Sequence, residues 1–240
     1  ELKEYISTLD ICTPILYVDN PIFNKTNNIY SLALAKDYLV QDDTLLFESD
    51  IIFEDAVLDA LMDDPRDTLA LVDKFQSWMD GTCVKLSADD SIEMFIPGKA
   101  FRFEEATDYY KTVNIYKFSK HFSQTLYVPF LEAYQRALGE NEYYEQVLRV
   151  ITMLDDPRIR AKRLEGQRWY EIDDSQDLDI AAMMFMDDSA QKAVLLQKQF
   201  GGYWRYPKLI DFCLLVNPYY PNEKMVAEIK ANFEPLLTQY

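Results

Sequence analysis

The chain has 240 residues, and 24 Lys and Arg against 41 Asp and Glu leave a net charge of −17. That balance argues against a duplex-binding surface, which needs cationic residues massed against phosphate, and against an anionic membrane face as partner. A local basic pocket for a small anion stays compatible with it. With 49% hydrophobic residues the chain can bury a core and does not read as disordered, and its length fits one large domain, or one domain with part of a second. One His, His121, and three Cys, Cys12, Cys83 and Cys213, exclude a His-rich zinc site and any CxxC pair. Three widely spaced thiols predict reduced residues and a cytoplasmic protein. No run approaches the roughly 20 apolar residues of a membrane helix. The opening ELKEYISTLD has neither an initiator Met nor a signal pattern, so it reads as the interior of a longer protein.

In chain order, PILYVD (14–19) predicts a strand and 27–39 a helix. TLLFESDIIF (44–53) predicts one buried strand with an abrupt acidic step, and 54–64 a helix stopped by Pro65. DTLALVDK (67–74) is the next strand, and this β–α–β–α–β order predicts parallel strands with crossover helices. CVKLSADDSIEMFIP (83–97) alternates about a polar turn, as a hairpin does, and KTVNIYKFS (111–119) follows as a strand. Helices are expected over 119–138 and 143–154, an extended stretch over 159–173, and a helix over 175–185 capped by Ser175. A further helix over 190–200 leads to Gly201-Gly202. The composition then shifts to a Pro- and Tyr-rich segment, 201–240, with a last helix over 224–238. The domain organisation expected is therefore 1–200 and 201–240, with no internal repeat.

Four segments could carry chemistry. Glu48-Ser49-Asp50 ends an otherwise apolar strand, and ligands of open α/β sheets gather at strand carboxyl ends. Asp50 could hold a divalent metal there, or the triplet could simply cap the helix that follows; position alone leaves the two equal. In Trp169-Tyr170-Glu171-Ile172-Asp173-Asp174, strand alternation puts Glu171 and Asp173 on one side, where a cation would relieve their repulsion. Capping by Asp173 or Ser175, with Asp177 near the third helical position, is the plainer account. Oxygen ligands without His or Cys favour Mg²⁺. Asn27 and Asn28 sit at a strand-to-helix junction, where one of them is explained by capping. Trp78 beside Asp80-Gly81 marks a turn first, and could also wall a small box for a cationic amine, although core packing is the commoner fate of an isolated Trp.

Together NNIYSLALA (27–35), LLFESDIIF (45–53), MDGT (79–82), KTVNIYKFS (111–119) and WYEIDDSQDL (169–178), in this order, resemble the nucleotidyltransferases that act on small alcohol phosphates. The likeness is to the bacterial phosphocholine cytidylyltransferases and to related enzymes acting on phosphoethanolamine or aminoethylphosphonate. It covers roughly residues 1–185. It implies a Rossmann-like, GT-A-like mixed α/β sheet flanked by helices, and transfer of CMP from CTP to a phosphorylated amino alcohol or aminophosphonate with release of pyrophosphate. Such a reaction would serve a bifunctional protein in cell-surface glycan or lipid decoration. It further implies that Asp50 and Asp173 are the catalytic, Mg²⁺-binding carboxylates. Asn27, Asn28, Trp78, Asp80, Tyr170 and Glu171 would line the substrate cleft. The partners implied are CTP and a small amine phosphate or phosphonate, with no nucleic acid and no membrane.

One departure stands out. The family opens with a Gly-rich loop of the form LAAGxGxRL after its first strand, and this chain has six Gly and no such loop. ELKEYIS resembles the helix after the family's second strand, so the sheet is expected to lack its first strand and phosphate loop, and this segment alone is expected to be weak or inactive. WRYPKLIDFCLLVNPYYPN (204–222) resembles the N-terminal arm of fold-type I, pyridoxal-phosphate-dependent aminotransferases. That likeness implies a fused domain whose pyridoxal phosphate lies beyond this chain, and homodimerisation through it. Besides the cytidylyltransferase, the readings open are a non-catalytic binding domain of the same fold, a sugar-phosphate nucleotidyltransferase, and a GT-A glycosyltransferase whose DxD motif Glu48-Ser49-Asp50 would mimic.

Overall fold

The structure, a computed structural model, describes residues 2–197, 217 and 219–238. It divides into two compact units, 1–187 and 188–240. In the first, α1 (Leu2–Ser7), α2 (Asn28–Leu34) and α3 (Lys36–Leu39) precede β1 (Thr44–Phe47), β2 (Ile51–Phe53), α4 (Asp55–Met62) and β3 (Leu69–Lys74). The hairpin β4 (Cys83–Leu86) and β5 (Ile92–Ile96) follows, then β6 (Tyr109–Phe118). A continuous helical stretch comes next: α5 (Lys120–Phe122), a π-helical turn (Ser123–Tyr127) and α6 (Val128–Leu138). The unit closes with α7 (Glu145–Ile151), β7 (Arg160–Arg163), β8 (Trp169–Glu171) and α8 (Ser175–Phe185).

β6 is the spine. β3 pairs antiparallel along one edge of it, while β4 and β1 share the other edge end to end, β4 against residues 109–111 and β1 against residues 115–118. β7 adds parallel to β3, and β5 adds antiparallel to β4. Period-2 alternation decides which face each side chain enters. Ala70, Val72, Tyr116 and Phe118 join a core with Ile29 of α2, Leu131 of α6 and Val147 of α7, while Leu69, Leu71, Val113 and Ile115 join a second core with Val57 and Leu61 of α4. Because both faces are covered, LALV in β3 is apolar without interruption.

Four expectations are corrected. Residues 14–19 form no strand; Leu16 is 70% exposed there. The run has no neighbouring strand to satisfy its backbone, and apolar character alone does not make a strand. Residues 44–53 are two strands rather than one, because β1 ends before Glu48 and β2 leaves the main sheet to pair antiparallel with β8. The sheet is mixed: among the described strands only β3 and β7 run parallel. The cap of α8 is Asp174 rather than Ser175, in a reciprocal capping box with Asp177.

The second unit contains α9 (Ser189–Leu196), capped by Asp188, and α10 (Glu223–Thr238). Most of 204–222 lies outside the described residues. No helix among the described residues is long and apolar enough to cross a membrane. Cys12 and Cys83 are both free thiols, and burial pushes that of Cys83 up to about 12, so it stays protonated; Cys213 lies outside the described residues.

One buried acid contributes to the pH response. Glu145, at the start of α7, is 5% exposed, and its Oε2 has no hydrogen-bond partner among the described residues. Burial first, and the charge of Glu48 second, push it up to about 7 from 4.5. An acid with a raised folded value keeps its proton longer in the folded state, so its contribution to stability is full below pH 4.5 and is lost as pH rises through 7. The loss is at most about 3 kcal/mol. Glu145→Gln is expected to be more stable than the parent at pH 8, and to lose less between pH 5 and pH 8, as read from urea midpoints. Identical pH dependence in the two proteins would refute this.

Candidate active site

The break in 44–53 builds the site. After Phe47 the Glu48 amide still donates to the Asn114 carbonyl (3.3 Å), and the chain then turns out of the main sheet into β2. The β2–β8 ladder aligns Ile51 with Glu171, and the Ile172 amide donates to the Asp50 carbonyl at 2.8 Å. The two acidic segments, more than a hundred residues apart in sequence, are thereby joined at one corner. The capping account of Asp50 fails, because β2 separates it from α4, whose N-cap is Glu54. Asp173 does not cap α8 either.

Beneath the corner lies the polar stretch of β6. Its register against β3 shifts by two residues between Ala70 and Val72, and Asn114 takes the left-handed conformation there (φ 58°), which Asn tolerates better than most residues. Its amide nitrogen donates to Glu48 Oε2 (3.1 Å) and to Glu171 Oε1 (2.8 Å). Lys111 is 1% exposed; its Nζ lies 2.9 Å from Glu171 Oε2 and donates to the Thr112 carbonyl at 3.0 Å. Asn28 closes the network: its Nδ2 lies 3.4 Å from Glu48 Oε1, and its Oδ1 accepts from the Tyr144 amide. Asn27 is engaged otherwise, as the cap of α2.

Negative charge exceeds positive at this corner. Burial pushes Glu48 up, with the charges of Asp50 and Glu171 adding to it. Burial also pushes Glu171 up, against the pull of Lys111. Asp173 is raised by burial, then by Asp177 and Asp50. Asp50 Oδ1 is buried with no hydrogen-bond partner among the described residues, a costly state for a carboxylate oxygen unless a cation meets it. That orphaned oxygen, next to a second crowded carboxylate, fits a hard divalent cation. No group of three or more His, Cys, Asp or Glu among the described residues is arranged to hold a metal. A cation here would therefore keep water or phosphate oxygens in its shell, as Mg²⁺ commonly does. Glu171, expected to line the cleft, is the counter-ion of Lys111.

The aromatic wall stands beside it. Trp78 and Tyr170 stack with ring centroids 4.9 Å apart and planes 10° apart, and the Tyr170 hydroxyl lies 3.1 Å from Asp177 Oδ1. Trp78 also packs against the second core, so packing and wall-forming coexist. Asp80 is exposed, and its charge contributes to raising Asp173. Gly81 (φ 87°) comes so close to Lys111 that a Cβ there would meet Nζ at 3.3 Å. Lys111, Thr112 and Asn114 escaped the sequence reading. The signal was a polar interruption in a strand that is otherwise apolar, and alternation alone could not say where it led.

No family model matches the chain. A CMP-5'-(3-aminopropyl)phosphonate synthase of Streptomyces rubellomurinus is 31% identical over 229 residues, covering 94% of this chain and 36% of that protein. The chain thus spans about a third of the length of this relative. The structure of the CTP:phosphocholine cytidylyltransferase of Streptococcus pneumoniae superposes with a TM-score of 0.55 at 19% identity, covering 81% of this chain and 75% of that one. The inositol-1-phosphate CTP transferase of T. maritima superposes with a TM-score of 0.54 at 16% identity, covering 82% and 71%. The chain has the mixed α/β fold of the nucleotidyltransferases.

Proposed function

We propose that this chain carries a cytidylyltransferase site that moves CMP from CTP onto the phosphonate or phosphate oxygen of a small amine, releasing pyrophosphate. The acceptor oxygen forms a bond to the α-phosphorus as the bond from that phosphorus to the β-phosphate oxygen breaks; the electron pair leaves with pyrophosphate. Alignment and charge neutralisation dominate such a transfer, and no protein nucleophile is required. The observation that carries the reading is the corner formed by Asp50 and Asp173, with the orphaned Asp50 Oδ1. Asp50 and Asp173 are the residues that would hold Mg²⁺, which when bound offsets triphosphate charge. Lys111 and Asn114 hold Glu171 and Glu48 in place behind them. The likeness to the aminopropylphosphonate synthase supports an acceptor with an ammonium group. The Trp78–Tyr170 face, with Asp80 and Asp177 nearby, offers aromatic and anionic partners for such a group.

A binding domain of the same fold is the second reading. It rests on one observation, that residues 1–240 contain no Gly-rich phosphate loop.

Pyrophosphate release from CTP with 3-aminopropylphosphonate, in the protein that carries this chain, decides between the two. Asp50→Asn and Asp173→Asn are each expected to lower the rate roughly a hundredfold or more, with an unchanged circular dichroism spectrum. Near-parental turnover in either variant would remove that residue from the reaction. Trp78→Ala is expected to raise KM for the amine by roughly 5–30-fold, the range of a desolvated cation–π contact, and to leave KM for CTP unchanged. Equal effects on both substrates would assign Trp78 to packing alone.

A further inference from the structure

The tetrapeptide Asp-Asp-Pro-Arg occurs twice, at 63–66 and at 155–158. Each copy leads into a strand, the first into β3 and the second into β7, and these strands are parallel neighbours with Leu69 opposite Arg160. Parallel pairing sets the two turns side by side at the strands' starting ends. The last residues of β6 arrive at the same end, since Phe118 pairs with Thr44, the first residue of β1. β1 runs away from that end, from Thr44 to Phe47, and Asp50 follows in the turn beyond it. The two turns therefore stand at the opposite end of the strands from the acidic corner.

Between the turns is a cavity of about 590 Å³, lined by Arg66, Arg158, Arg160, His121, Thr68 and Ser119. Three of the chain's nine arginines thus face one hollow in a protein of net charge −17. Two are anchored. Arg66 forks onto Asp64 through Nε (2.8 Å) and Nη2 (2.7 Å), and Arg160 is held by Asp89 and Ser91. Arg158 is looser: its Nε lies 3.5 Å from Asp156, its side chain is 50% exposed, and its Nη1 lies 2.8 Å from His121 Nε2. The Thr68 and Ser119 hydroxyls bond each other at 3.0 Å, which leaves one O–H of the pair as a neutral donor. Asp67 and Asp156 share the wall, so among the lining residues three guanidinium groups face two carboxylates. Guanidinium forks match phosphate oxygens in geometry as well as charge, and a local cationic cleft attracts anions whatever the net charge.

We propose that this cavity is an anion site, separate from the acidic corner, that takes a small phosphate-bearing ligand between the two Asp-Asp-Pro-Arg turns, with Arg158 as the adjustable clamp. The chain's single histidine lies in its wall, so one imidazole proton signal reports on it alone. Inorganic pyrophosphate and inorganic phosphate would be titrated separately by proton NMR, without divalent cations, against sodium chloride at matched ionic strength. Pyrophosphate is expected to move the His121 signal saturably and chloride is not. Saturation by phosphate as well would show that one phosphoryl group suffices. Arg158→Ala is expected to weaken the effect tenfold or more while Asp50→Asn leaves it intact. No saturable shift, a shift that chloride reproduces, or a shift unchanged in Arg158→Ala would overturn the proposal.

Discussion

The buried ammonium of Lys111 is the constraint around which the acidic corner is organised. Glu48 and Glu171 are largely withdrawn from water at this corner, and without a cation among them such carboxylates would protonate or force the chain open. Lys111 meets Glu171 directly, and Asn114 spreads the effect by donating to Glu171 and Glu48 together. Removing one partner from such a pair leaves an uncompensated charge, a loss of about 3–5 kcal/mol. Gly81 comes close to this ammonium, since a Cβ there would meet Nζ at 3.3 Å.

The same constraint accounts for the irregular backbone of β6. A regular strand would send Lys111 and Val113 to one face and Thr112 and Asn114 to the other. The two-residue shift in register and the left-handed Asn114 let the strand enter the site with Lys111 and Asn114 and leave it with Val113 and Ile115 still in the second core. The gap between β4 and β1 along the same edge is where this happens. There Thr112 bonds to Thr82 and Asn114 accepts from Glu48, so the ladder is bridged and not broken. Splitting 44–53 between two sheets is the matching step on the partner side: neither β1 nor β2 has to carry a carboxylate inside a ladder, because Glu48-Ser49-Asp50 is the corner between them.

What the sequence made legible follows from this geometry. The helices, the hairpin and the strands over 67–74 and 111–119 were readable because their apolar periods are enforced by two cores. Asp50 and Asp173 drew notice because carboxylates beside apolar strands stand out, and the fold brings their two segments to one corner. Lys111 and Asn114 were not, since their placement depends on a bulge, and a bulge depends on which strands lie on either side. The 14–19 run was misread for a related reason: its composition matches a strand, but strand formation is a property of a pair. Asn27 and Asn28 looked equivalent in sequence. Only the fold separates them, assigning one to the cap of α2 and the other to Glu48.

Net charge was a poor guide to where ions would be welcome. The −17 of the chain is not spread evenly along its strands. β1, β3 and β6 run between an end where Glu48, Asp50 and Asp173 crowd and an end where Arg66, Arg158 and Arg160 gather. Within each end the fold pairs most charges locally, Glu171 with Lys111 at one and Arg66 with Asp64 at the other, where it holds the Asp64 carboxyl down at about 2. The least satisfied groups differ in sign at the two ends: the Asp50 oxygen has no hydrogen-bond partner among the described residues, and Arg158 pairs loosely with Asp156. On the proposed reading each end would select its own ions by local geometry, and one sheet would present a cation-seeking end and an anion-seeking end.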